Sequence, residues 1–134
     1  MKNHILIFIL TIIPLQCVYA EWIAVGTKSK EVAVDTNEIE RELWLFLSSI
    51  DEIRFEPKEA YRFQYKMINE ESIFINALCG PTEKSQDVGA FPQPTAEELS
   101  REIYQVFDGG SCYFQLNYNV KNKVFSGLSI NGRA

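Results

Sequence analysis

The sequence predicts an α+β domain: an antiparallel β-sheet with one main α-helix packed on one face, a C-terminal β-hairpin and one disulfide. Three observations carry that expectation. Tyr61-Arg62-Phe63-Gln64-Tyr65-Lys66-Met67 alternates aromatic and polar residues at the period of a strand. Thr95-Ala96-Glu97-Glu98 has the form of a capping box, which opens a helix. Cys79 and Cys112 are two isolated thiols with neither the CxxC spacing of a redox centre nor that of a zinc knuckle.

Taken in order, MKNHILIFILTIIPLQCVYA places Lys2 and His4 before an apolar run and ends on the small-x-small triplet Val18-Tyr19-Ala20. That pattern predicts a secretory signal peptide over residues 1–20. Its apolar centre is too short to cross a ~30 Å hydrocarbon layer as a permanent helix. Cys17 raises lipidation as a rival, but Pro14-Leu15-Gln16 lacks the small residues such a site wants. Cleavage after Ala20 leaves one domain over residues 21–134. Losing Lys2 leaves 12 basic residues against 18 acidic ones. Such a chain avoids nucleic acid and anionic lipid and suits a neutral or basic protein partner. His4 is the only histidine and departs with the leader, taking the usual general base and the commonest zinc ligand. No metal and no cofactor is expected.

Residues 21–26 and 31–34 read as two strands of a hairpin around the polar turn Thr27-Lys28-Ser29-Lys30. Asp35 to Ile39 reads as a turn or a single helical turn capped by Asp35 or Thr36. Leu43-Trp44-Leu45-Phe46-Leu47 is continuously apolar, which suits a buried strand and leaves a short helix open. Residues 61–67 and 72–79 form an antiparallel pair turned at 69–71, with 72–79 central. Gly80 to Pro94 is a polar loop, and a helix is expected from about Ala96 to Phe107, with Leu99, Ile103, Val106 and Phe107 as its apolar stripe. Gly109 and Gly110 end it at positive φ. Strands over 112–118 and 123–130, turned at 119–122, make the terminal hairpin.

The stretch Asp108-Gly109-Gly110-Ser111-Cys112 looks like the loop of a nucleophile. A thiolate needs a base or a positive neighbourhood, and its charged neighbours are Glu102 and Asp108. Cys112 therefore reads as the disulfide partner of Cys79, closing a loop worth roughly 3 to 4 kcal/mol. It would pin the loop and helix between them at their base and make the flanking strands neighbours.

Tyr61, Phe63 and Tyr65, with Trp44, form either one face of a core or a stacking surface for a sugar or peptide. Asp35, Asp51, Glu52, Asp87 and Asp108 are the carboxylates available to a hydrolase, without a spacing that marks a pair. Asp87 and Asp108 lack a calcium-loop pattern around them. Asp51, Glu52, Glu56, Glu59, Glu70 and Glu71 make the middle of the chain acidic. The candidate binding surface is the acidic segment, with Asp51, Glu52, Glu56 and Glu59, and the 80–94 loop, with Asp87 and Phe91.

The opening EWIAVGTKSKEVAVDTNEI, a tryptophan-led strand followed by one ending in Val-Asp-x-x-x-Ile, resembles the start of bacterial surface-adhesin-E-like domains. That resemblance implies a small envelope protein with an antiparallel sheet. It covers the first quarter of the expected mature chain and carries over no binding residue. FDGGSCYFQLNY and FSGLSINGRA depart from it and look more like the tails of small periplasmic proteins. Together these readings predict a periplasmic or secreted, non-enzymatic protein-binding module, such as an inhibitor or immunity protein. The alternatives are a surface adhesin and a hydrolase working through carboxylates alone.

Overall fold

The computed structural model describes residues 19–80 and 94–132. Its centre is a five-stranded sheet in the order β1-β2-β3-β4-β5, formed by Trp22–Ala24, Tyr61–Met67, Ser72–Cys79, Tyr113–Asn119 and Val124–Ile130. All neighbours are antiparallel except β1 and β2, which run parallel with Trp22 opposite Phe63. The chain is thus α+β, with the expected terminal hairpin and the expected central strand.

The first helix-forming region departs from expectation. Parallel neighbours cannot be joined by a tight turn and need a crossover. Here α1 (Gly26–Glu31) and α2 (Thr36–Ser48) supply it. The expected hairpin partner over 31–34 is therefore no strand: Val32 is exposed and only Val34 packs on the core. Ser29, read as turn, is buried and its hydroxyl accepts from Met67 N at 2.9 Å.

α2 is the main helix, and it absorbs both the single helical turn expected at 35–39 and the strand expected at 43–47. Asp35 is its N-cap and accepts from Glu38 N at 3.0 Å. The buried residues Ile39, Leu43 and Leu47 recur every four positions, whereas Leu45, in the middle of the apolar run, is 69 % exposed. That spacing is one helical stripe, and it lies on the sheet.

Beneath α2 the sheet presents a period-two apolar face. Across the strands, Phe63, Ala77, Phe114 and Ile130 make one row, Tyr65, Ile75 and Leu116 the next, and Met67, Ile73, Tyr118 and Phe125 a third. The aromatic stripe is core rather than display: Tyr61, Phe63 and Tyr65 are all buried. Trp44 packs at 5.5 Å from the Tyr61 ring. Tyr118 also donates its hydroxyl to Glu42 at 2.8 Å, tying β4 to α2.

The opposite face is covered in part by α3 (Ala96–Leu99) and by residues 100–106. The capping box at Thr95 and Glu98 forms as expected, yet the helix stops after four residues rather than running to Phe107. Of the expected stripe only Leu99 is buried, packed with Ile23 and Leu78, while Phe107 is 90 % exposed. What holds 100–106 to the sheet is polar. Gln64, Asn76 and Gln115 stand opposite one another on β2, β3 and β4. Gln64 Nε2 donates to the carbonyls of Leu99 and Glu102 at 2.6 and 2.8 Å, and its Oε1 accepts from Tyr104 N at 2.9 Å. Asn76 Nδ2 donates to Gln64 Oε1 and to Tyr104 O, and Gln115 Nε2 donates to Asn76 Oδ1. Asn131 completes the row, accepting from Gln115 and donating to Val106 O. An irregular segment whose own backbone has no helix ladder must satisfy its polar groups elsewhere, and this amide ladder does so.

Gly109 and Gly110 take the expected positive φ, +101° and +60°, but they end no helix, since α3 stops at Leu99; Gly109 instead opens the single 3-10 turn Gly110–Cys112 that leads into β4. At Gly109 a Cβ would stand 2.5 Å from the Tyr113 ring, so no other residue fits without displacing that side chain. Among the described residues no helix is long and apolar enough to cross a membrane.

Candidate functional site at the loop-bearing end of the sheet

The two ends of the sheet differ. At one end β2 and β3 are joined through residues 68–71, and β4 and β5 through 120–123, where Asn119 Oδ1 accepts from the N–H groups of Lys121 and Asn122. Such tight turns leave little room for adaptation. At the other end, where Tyr61 faces Cys79 and Phe114 faces Ile130, four segments meet. These are the 49–60 connection entering β2, the exit of β3 at Gly80, the 109–112 entry to β4, and residues 131–132 beyond β5.

These segments are tied together. Cys79 and Cys112 form the expected disulfide, with Cα atoms 5.0 Å apart. The Tyr61 hydroxyl accepts from Glu56 N at 3.0 Å and donates to Ser111 O at 2.7 Å, so one side chain bridges two of the four segments. Gly80 N donates to Ala60 O at 2.7 Å, and Asn131 N to Tyr113 O at 3.0 Å. The Phe55 ring meets Phe114 edge-on at 5.2 Å. The result is a fixed platform bearing loops, the arrangement in which binding residues are most often presented.

Two open grooves flank a ridge made by Ile53 and Arg54. One, of about 730 Å³, runs along Gly109 to Ser111 and Ile130 to Gly132. The other, of about 410 Å³, lies between the end of α2 and the 50–58 segment, with Trp44, Phe55, Asp51 and Glu56 on its walls. The Trp44 Nε1 is buried and has no hydrogen-bond partner among the described residues.

Of the expected binding residues, Asp51, Glu52, Glu56 and Glu59 are exposed on this end. Asp87 and Phe91 lie outside the described residues, as do the 81–93 part of the loop that carries them and residues 1–18 of the expected leader. The acidic run is not uniform in space. Arg54 and Lys58 line the same groove as Asp51 and Glu56. Glu70 and Glu71 lie at the opposite, tight-turn end, where Glu71 pairs with Lys121 at 3.1 Å. Asp35 and Asp51 are likewise separated: they flank a 13-residue helix, about 20 Å long at 1.5 Å per residue. Glycosidase carboxylates stand about 5 to 9.5 Å apart, so this pair is excluded. Among the described residues no three His, Cys, Asp or Glu side chains gather as a metal site requires.

Sequence reasoning missed the amide ladder, because Gln64 in an alternating strand reads as solvent-facing and is in fact fully buried. It also missed Glu40, buried on α2 and bonded to the Trp22 indole. A run of amides at matching positions of three strands was the available signal for the first. No local pattern marks the second.

The Tyr61 bridge supports a direct test. Burial pushes this hydroxyl up from 10.0 to about 12, against the lowering effect of the Glu56 N–H. Burial, and then the Glu42 carboxylate, raise Tyr118 as well. Both groups lose their proton less readily folded than unfolded. The stability that these two groups contribute is therefore full below about pH 10 and falls as pH rises toward 12. An absorbance titration of phenolate should show these two tyrosines ionising last. Tyr61→Phe should cost about 1 to 2 kcal/mol and loosen residues 53–57 and 109–112 to hydrogen exchange, with the sheet unchanged. Unaltered exchange there would show that the bridge holds nothing.

Compared with known protein families, with curated proteins and with solved structures, the chain matches none.

Proposed function

We propose that this is a small exported protein of the bacterial envelope, acting without catalysis as a protein-binding module that engages its partner through the loop-bearing end of the sheet. The observation that carries the reading is the convergence of four chain segments on one end, locked at the base by a disulfide and by Tyr61. A persistent disulfide fits an oxidising compartment. Exposed Asp51, Glu52, Glu56 and Glu59 fit a neutral or basic surface on the partner, such as that of a secreted or cell-wall enzyme held by an inhibitor or immunity protein. Charge of this kind speeds encounter more than it deepens affinity, so binding should weaken as salt rises.

The test is capture of a partner from envelope extract at low salt, using the exported protein and two charge-reversed variants. Reversing Asp51, Glu52, Glu56 and Glu59 to lysine should reduce capture at least ~10-fold by slowing association. Reversing Glu70 and Glu71 at the tight-turn end should leave it unchanged. Equal losses in the two variants, or an empty capture with the native protein, would remove the proposal.

A further inference from the structure

Glu40 is 3 % exposed, yet among the described residues no lysine or arginine pairs with it. Among the described residues its carboxylate is held by neutral donors alone. The Trp22 Nε1–H donates to Oε2 at 2.8 Å, and the Ala20 backbone N–H reaches both oxygens at 3.0 and 3.1 Å. The indole cannot swing away, because its ring stacks on Phe63 at 4.5 Å. Of the two cations on the neighbouring strand, Lys66 is exposed, and Arg62 is already engaged by Glu21 at 2.8 Å and by Pro94 O. A buried carboxylate without a countercharge is costly, and this one is aimed at the residue where the leader is expected to end.

We infer that Glu40 is the receptor for the chain's own processed N-terminus. The inference rests on the export reading. Hydrolysis of the Ala20–Glu21 bond, with water as co-reactant and a leader peptidase as catalyst, leaves a carboxylate on Ala20 and an amine on Glu21 that takes a proton at neutral pH. Ala20 departs with the leader, and its N–H vacates both Glu40 oxygens. The new α-ammonium lies one residue further along, within ~3.6 Å of chain from the vacated position, with three donors where one amide stood. Glu21 is already fixed there, since its carbonyl accepts from Phe63 N at 2.9 Å. The mature fold then gains an ion pair between the start of the chain, just ahead of β1, and α2 that the precursor lacks, which couples completion of the fold to removal of the leader.

The experiment has two arms. Intact mass of the protein recovered after export gives the start of the chain, expected at Glu21. Acylation of the α-amine at pH 7, with lysine amines as internal reference, is then compared between native and urea-unfolded protein, for the wild type and for Glu40→Gln. A buried carboxylate that raises the amine's pKa by one unit cuts its reactive fraction about 10-fold. The native wild-type amine should therefore react at least ~10-fold more slowly than the unfolded one, and Glu40→Gln should abolish most of that protection. The native-against-unfolded comparison needs no variant and stands even if Glu40→Gln fails to fold. A mature chain starting at Met1 would overturn the export reading and this inference together. A chain starting at Glu21 whose amine reacts at the unfolded rate, or is equally protected in Glu40→Gln, would overturn this inference alone.

Discussion

Replacing Cys79 and Cys112 together by serine is expected to lower the free energy of unfolding by about 3 to 4 kcal/mol, the loop-closure value for a bridge of this span. The two cysteines are 33 residues apart in sequence, and the segment they enclose crosses from the last residue of β3 to the first turn before β4. The described part of that segment contributes little to the core: α3 is four residues long, and Leu99 is its one buried apolar side chain. The unfolded chain thus gains much freedom when the bridge is lost, while the native chain loses few contacts. A domain of this size has roughly 5 to 15 kcal/mol of stability in all, so the change removes a large share. Urea unfolding monitored by tryptophan fluorescence should show the midpoint falling. A loss below ~1 kcal/mol would mean that the register of β3 and β4 alone holds this end together. The thiols should also resist alkylation until a reductant is added, and recover it afterwards.

The same bridge shows which parts of the fold were legible. β4 announces itself because it buries one face only and so alternates; β2 alternates in sequence although Gln64 on its other face is buried, and β3, buried on both faces toward its end, reads as a near-continuous apolar run. The disulfide and its neighbouring strands follow from cysteine count and loop geometry. α2 was hidden for a different reason: Leu43 to Leu47 is apolar at every position, so its period cannot be read without knowing that Leu45 points to solvent and that Trp44 and Phe46 flank the buried stripe. The capping box correctly marked where α3 begins, but a cap says nothing about where a helix ends. Val106 and Phe107 fit its stripe by spacing, whereas the segment follows the sheet amides instead. The loop-bearing end was legible in part. Asp51, Glu52, Glu56 and Glu59 do share it, while Glu70 and Glu71, neighbours in sequence, are carried by β2 to the far end. Linear clustering of charge does not survive a strand of seven residues between its halves.

Gln64→Met should cost about 3 kcal/mol and release the 99–106 segment from the sheet. The substitution keeps the length of the side chain and removes every polar atom of a residue that is fully buried. Left without partners are the Leu99 and Glu102 carbonyls and the Tyr104 N–H, and Asn76 Nδ2 keeps only one of its two acceptors, Tyr104 O. Each buried group so stranded costs about 1 to 3 kcal/mol, and the partly exposed ones recover some of that from water. Members of one hydrogen-bonded network fail together, so Asn76→Leu and Gln64→Met should combine to much less than the sum of their separate effects. Lys66→Met, on the same strand and face but exposed, is the control and should lie within about 0.5 kcal/mol of the wild type. Hydrogen exchange localises the change: the Tyr104 amide should lose its protection, while amides in β3 and β4 slow or quicken only with global stability. If Tyr104 exchanges as before and stability falls by less than ~1 kcal/mol, the segment is held by Leu99 and its neighbours Ile23 and Leu78 instead, and the amide row is incidental to the fold.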